Sequence, residues 1–321
     1  MTALNKISFT DLVVSPEAAW IKCSSGINLE NNNIDGLVLL SSEFNDDINK
    51  IRKLINENEG SKYYSIKYDN MFFRGSRRIG IDGEWNFLRR PITTEIPTLK
   101  KLGYNNDIIS TLLNKNFNRG GLLFIGEPGS GKTTSASSWV SERLNVFGGL
   151  AVALENPPEL PLHGTHGNGV CVQIPVDSGD YAQACAQVLR DGAASIIMLG
   201  EILEPQTAIQ YARTCLIGKT AVSTVHGPSI SLGIERLSDM VSSANFGDRR
   251  GSNSLIADSL SIVIYQRLEE KATGGKRIRA ELLTMTLEAR SYIREGNFNL
   301  LAGEVERQGA SKAVGDQSFG K

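Results

Sequence analysis

Apolar and polar positions alternate differently in two stretches of the chain. In the first 70 residues, rich in Asn, Asp, Glu and Lys, apolar runs are brief, at 36–40 and around 18–23. Across 46–56, Ile48, Ile51, Leu54 and Ile55 recur on one face at helical spacing, which predicts an amphipathic helix. Residues 63–81 alternate loosely and carry aromatics, which predicts strands. Residues 1–92 therefore read as a small α+β domain. The segment Pro91-Ile92-Thr93-Thr94-Glu95-Ile96-Pro97 sets β-branched residues between two prolines and predicts an extended connector, with the linker at 93–97.

Beyond the linker, apolar runs at 121–125, 150–154, 195–199, 220–225 and 261–265 alternate with longer helical patterns. Near-continuous apolar strands belong to a parallel sheet with helices on both faces, so 98–308 is expected to be an α/β domain. Residues 309–321 offer almost nothing to bury and are expected to form a flexible tail.

Composition narrows the picture. The 321 residues are enough for about two domains. Lys and Arg number 34 against 35 Asp and Glu, a net charge of −1, which argues against stable nucleic-acid binding. Cys23, Cys171, Cys185 and Cys215 form no CxxC pair, so reduced thiols and no metal cluster are expected. Residues 1–14 lack a signal-peptide core, and no stretch approaches the roughly 18 apolar residues of a membrane span. A cytoplasmic location is expected.

The strongest chemical signal is Gly126-Glu127-Pro128-Gly129-Ser130-Gly131-Lys132-Thr133, which fits G-x-x-x-x-G-K-[ST] at every fixed position. Glycines let consecutive backbone N–H groups turn inward on phosphate oxygens. Lys132 can reach the β- and γ-phosphates, and Thr133 is placed for Mg²⁺. An apolar strand precedes the loop, and a helix from Thr134 onward follows it and adds its dipole. ATP and Mg²⁺ are the implied ligands.

Such a loop needs a carboxylate near Mg²⁺, at the carboxyl end of a neighbouring strand. Glu201 ends the apolar run 195–199 and takes that role. A second acid must orient the attacking water. Glu155 and Glu159 both follow the run 150–154, in a loop containing Pro157-Pro158. In the run that ends at His226, Thr224 or His226 is placed to sense the γ-phosphate. Arg74, Arg77, Arg78, Arg89 and Arg90 cluster just before the linker.

Together these pieces resemble the type II/type IV secretion ATPase superfamily, the PilT-like hexameric motors of pili, secretion systems and conjugation. The resemblance runs from about Phe72 to Gly296. Its landmarks include Phe73-Arg74, Leu88-Arg89-Arg90-Pro91-Ile92, the phosphate loop, the acidic box 155–159, Gly200-Glu201, the histidine box 223–226, Gln266-Arg267-Leu268 and Ile293-Arg294-Glu295-Gly296. It implies a RecA-like P-loop ATPase domain with a parallel sheet, preceded by a smaller PAS-like α+β domain, in a ring of six. It also implies Glu159 as catalytic glutamate, Glu201 as the Mg²⁺-side acid and His226 as phosphate sensor. Arg74 and Arg89 or Arg90 would approach the nucleotide across the domain interface, where a permanently charged guanidinium suits phosphate. Partners would be inner-membrane platform or secretion-channel proteins, placing the ring at the inner face of the bacterial inner membrane.

The chain differs from the family pattern at Asn156, Lys219, Gly227 and Leu203-Glu204. It also lacks the paired-cysteine zinc motif of the pilus-assembly and type II secretion members. Pilus retraction and conjugation or type IV secretion both remain open. So do a nucleic-acid motor on the same core and a regulator that binds ATP without hydrolysing it.

Overall fold

The computed structural model describes residues 4–7, 9–23, 37–90, 95–177, 179–244, 248–270 and 276–317, apart from the side chains of 23, 276 and 310–317. Two compact units form. One is Met1–Glu95 with Glu155–Pro161 and Pro175–Ser178; the other is Ile96–Leu154, Leu162–Ile174 and Gly179–Lys321. The acidic loop, expected within the second domain, thus clusters with the first unit. The Ser65 hydroxyl donates to the Pro158 carbonyl at 2.9 Å, and Arg74 pairs with Glu159. Residues 93 and 94 of the expected linker lie outside the described residues.

The first unit contains β1 (Phe9–Val14), β2 (Ala19–Cys23), β3 (Leu37–Leu39), α1 (Asn45–Asn56), β4 (Tyr63–Tyr68), β5 (Met71–Gly80) and β6 (Gly83–Arg89). The strands make one antiparallel sheet in the order β3-β2-β1-β6-β5-β4. As the apolar spacing predicts, Ile48, Ile51 and Ile55 of α1 are buried; they share a core with Leu12, Phe73 and Leu88 of the sheet. Leu54 packs at the margin of that core. Side chains alternate along a strand, so the neighbours of these core residues face the other way. There Ser65, Arg74, Arg89, Asp11 and Lys22 are successive cross-strand partners, a polar rung across five strands.

The second unit opens with α2 (Leu99–Leu102) and α3 (Asn106–Leu112), followed by β7 (Gly120–Gly126), α4 (Lys132–Phe147), β8 (Gly149–Glu155), β9 (Gly164–His166) and β10 (Gly169–Pro175). Then come α5 (Tyr181–Asp191), β11 (Ile196–Leu199), α6 (Pro205–Leu216), β12 (Thr220–His226), α7 (Ile230–Ser243) and α8 (Arg249–Ser259). It closes with β13 (Leu260–Glu270), β14 (Lys276–Thr284), α9 (Leu287–Glu295) and α10 (Leu301–Gln317). The sheet order is β14-β13-β7-β12-β11-β8-β10-β9, and the run from β13 to β8 is parallel. All five predicted apolar runs are strands of this parallel centre. Helix starts follow local chemistry: Asn105, Ser229, Asp248 and Thr286 each accept a backbone N–H at the start of α3, α7, α8 and α9.

Two segments carry more regular structure than the sequence pattern shows. The run 261–265 is only part of β13, which continues to Glu270 and pairs antiparallel with β14. Beyond Tyr265 the charges Arg267, Glu269, Arg277 and Arg279 interrupt the apolar positions of this hairpin, so it gives no continuous apolar run. The segment expected as a tail is helical in its backbone through Gln317. A packed first turn starts that helix: Leu301 and Glu304 are buried, and the Glu304 carboxylate accepts from Thr286, Arg307 and Gln308. Residues 318–321 lie outside the described residues.

Candidate active site

Strand β7 ends at Gly126 and α4 begins at Lys132, so the phosphate loop is the strand-to-helix turn between them. Gly129 (φ +75°) and Gly131 (φ +85°) hold left-handed backbone that other residues adopt at a cost. A Cβ on Gly126 would overlap the Gln266 carbonyl and lie 2.5 Å from Ser130 Oγ. The N-cap of α4 is Gly131, which has no side chain to cap it. Ser130 Oγ is buried with no hydrogen-bond partner among the described residues. Unused donors around a glycine-lined helix N-terminus fit phosphate oxygens. Thr133 and Glu201 offer a hydroxyl and a carboxylate, hard oxygens of the kind Mg²⁺ prefers.

Lys132 is 7% exposed. Its Nζ donates to the carbonyls of Gly126 (3.0 Å) and Glu127 (2.9 Å) and lies 3.2 Å from His226 Nδ1. An ammonium has only donors, so Nδ1 must present its lone pair and the imidazole proton sits on Nε2. That nitrogen faces Glu201 Oε2 at 3.8 Å. Burial pushes the Lys132 pKa down, against the pull of Glu201. Burial likewise lowers His226; the Lys132 charge adds to this, Glu201 opposes it, and Arg236 lowers it further.

Sheet register places these groups. His226 is opposite Gly126 in the β12–β7 ladder, and Leu199 is opposite Ser223 in the β11–β12 ladder. The loop, His226 and Glu201 therefore collect at the carboxyl ends of three adjacent parallel strands, where such sheets bind ligands. Thr224 does not join them. It is buried, and its hydroxyl donates to the Gly200 carbonyl at 3.0 Å, as Ser223 does to Leu199 at 2.7 Å. Of the two candidates in that run, His226 alone faces the loop lysine.

Sequence reading missed the support beneath the loop. Gln266, fully buried in β13, donates from Nε2 to the Ser130 carbonyl at 2.7 Å, and Tyr104 Oη donates to Gln266 Oε1 at 2.6 Å. The signals available were a polar residue closing the apolar run 261–265 and the place of Gln266 in the landmark Gln266-Arg267-Leu268, and neither pointed to the loop.

The remaining candidates belong to the first unit. Arg74 Nη1 meets Glu159 Oε1 at 2.5 Å, with both side chains about half exposed. Arg89 Nε pairs with Asp11 Oδ1 at 3.1 Å, and the Arg90 guanidinium lies 5.0 Å from the centre of the Phe9 ring. Arg74, Arg89 and Asp11 also line a cavity of about 420 Å³ with Tyr63, Ser76 and Phe87. Glu155 is the last residue of β8 and is buried, and its carbonyl accepts from Val176 N. Lys219 donates to the Gly192 carbonyl.

Residues 73–297 match the family described as "Type II/IV secretion system protein". The chain belongs to that family. Among curated relatives of this secretion family, the type IV pilus ATPase PilU of Pseudomonas aeruginosa is 28% identical over 238 residues, covering 72% of this chain and 58% of the relative. The type IV pilus retraction ATPase PilT of the same species is 24% identical over 225 residues, covering 69% and 62%. The chain thus spans about three-fifths of the length of these relatives. Among solved structures, the pilus retraction motor PilT with bound ADP superposes with a TM-score of 0.74 at 21% identity, covering 94% of this chain and 89% of that one. The Legionella pneumophila ATPase DotB gives 0.71 at 18% identity, covering 94% and 85%. The fold is thus the family's: a RecA-like α/β core with a smaller N-terminal domain. Among the described residues, no helix is long and apolar enough to cross a membrane.

Proposed function

We propose that this chain binds ATP with Mg²⁺ at residues 126–134 and hydrolyses it. In this reading it is one subunit of a ring of six that powers a type IV pilus or a type II/IV secretion machine at the inner face of the bacterial inner membrane. The observation that carries the reading is the line Lys132–His226–Glu201 at the strand ends beside the uncapped start of α4. Family membership and the ATPase names of its relatives support the reaction class.

In this reading the loop N–H groups bind the phosphates. Lys132 exchanges the carbonyls of Gly126 and Glu127 for phosphate oxygens, replacing acceptor by acceptor so that no buried charge is left unpaired. Thr133 and Glu201 hold Mg²⁺, which when bound withdraws charge from the phosphoryl oxygens. His226 links the lysine to the acid beside the metal. Glu159 orients the attacking water, with Arg74 fixing its carboxylate. Arg89 and Arg90 supply positive charge that matters most as the transition state forms. The ring docks on platform or channel proteins.

Phosphate release with and without Mg²⁺, for the parent and for Lys132→Ala, is the test. The variant is expected to lose turnover and to bind nucleotide more weakly. Unchanged hydrolysis would show that this loop is not the active site.

A further inference from the structure

We infer that Gln266, held by Tyr104, is a positioning residue for the phosphate loop: it fixes the Ser130–Gly131 peptide so that the Gly131 N–H faces the nucleotide. The inference rests on the ATP reading above and adds a residue to it.

The geometry leaves little freedom. The Ser130 carbonyl can only accept, so the Gln266 amide must turn Nε2 toward it, and Oε1 is left to receive the Tyr104 hydroxyl. Burial pushes the Tyr104 pKa up, so the phenol keeps its proton and remains a donor. A trans peptide is planar, with its C=O and N–H on opposite sides. Holding the Ser130 carbonyl on the Gln266 side therefore turns the Gly131 N–H to the other side.

Gly131 needs this restraint. Its φ of +85° lies where glycine moves freely, having no Cβ to confine it. The Gln266 backbone carbonyl closes off the space beside Gly126 at the other end of the loop. One residue of β13 thus braces both ends of the turn, and Tyr104, from the turn between α2 and α3, keeps its amide from flipping. Tyr104 and Gln266 are 162 positions apart in sequence.

The test uses the 321-residue parent with Gln266→Met, Tyr104→Phe and Gln266→Glu, read by titration with a fluorescent ATP analogue and by thermal unfolding. Gln266→Met keeps volume and loses both hydrogen bonds; Tyr104→Phe loses only the hydroxyl and is the milder change should Gln266→Met fail to fold. Each is expected to weaken nucleotide affinity about tenfold at temperatures where the variant is fully folded, the size of one good hydrogen bond. Gln266→Glu is expected to bind weakly when its carboxylate faces the Ser130 carbonyl and to regain affinity as pH falls, because the protonated acid again donates there. Loss of thermal stability with unchanged affinity in both neutral variants, or no pH-dependent recovery in Gln266→Glu beyond the parent's own pH response, overturns the inference. If the parent itself binds no nucleotide, the ATP reading fails first and takes this inference with it.

Discussion

Replacing Glu159 with Gln separates chemistry from fold. The carboxylate meets Arg74 at 2.5 Å with both side chains about half exposed. In water the Coulomb attraction at that distance is about 1.7 kcal/mol. Side-chain ordering and salt reduce such exposed pairs to about 0.2–1 kcal/mol. Gln keeps a carbonyl oxygen for Arg74, so the loss falls in the lower part of that range. A chain of this size should then unfold within about 3 °C of the parent. Nucleotide affinity should hold, because the phosphate loop is untouched. Turnover should fall by roughly 10²–10⁴ if the carboxylate orients and deprotonates the attacking water. Steady-state phosphate release, analogue titration and a thermal scan on one preparation give all three readings. Near-parent turnover would refute the assignment and make Glu155 the next candidate. A drop in stability of many degrees would instead show that the acidic loop is held by more than its visible pair.

Three further outcomes are expected. Lowering the pH below the ordinary histidine value of 6.5 should weaken nucleotide binding and cost some stability: the folded-state pKa of His226 is depressed, so its contribution is present above that value and is lost as pH falls through the lower folded one. Protonation there fills the Nδ1 lone pair that Lys132 uses and sets two cations together, with Arg236 nearby and Glu201 and the Gly126 backbone opposing; His226→Gln should flatten that part of the profile. Gly126→Ala should destabilise the fold by about 1–3 kcal/mol, because the methyl meets the Gln266 backbone carbonyl, which cannot move aside; chemical denaturation reads this directly. Light scattering with a non-hydrolysable ATP analogue should report a ring of about six subunits, and a monomer at every protein and nucleotide concentration would contradict the ring.

How much of this was legible in the sequence depended on how local each signal was. The phosphate loop, the strands beside it and α1 rest on spacing within a dozen residues, where glycine placement and periodicity suffice. Glu201 and His226 were legible because a strand end is a local event. The fate of Thr224 was not, since only the neighbouring strand's carbonyls decide whether its hydroxyl is already used. The β13–β14 hairpin escaped because charges alternate with its buried residues, such as Ile278 and Leu282, so no continuous apolar run marks it. The Tyr104–Gln266 bond and the Arg74–Glu159 pair join residues 162 and 85 positions apart, and no pattern along one chain announces such meetings.

The paired hydroxyls of Ser223 and Thr224 have a mechanical consequence. They donate to consecutive carbonyls, Leu199 and Gly200, while the Ile202 N–H returns a bond to the Thr224 carbonyl. These three bonds stitch the strand ends together at and just past the last rung of their ladder, on both sides of Glu201 and within three residues of His226. Neither side chain can drift far without dragging the other strand along. A tug on the histidine is therefore delivered to the acid as displacement instead of being absorbed as local slack, so the two behave as one stiff jaw, and the compliant part of the mechanism has to lie elsewhere.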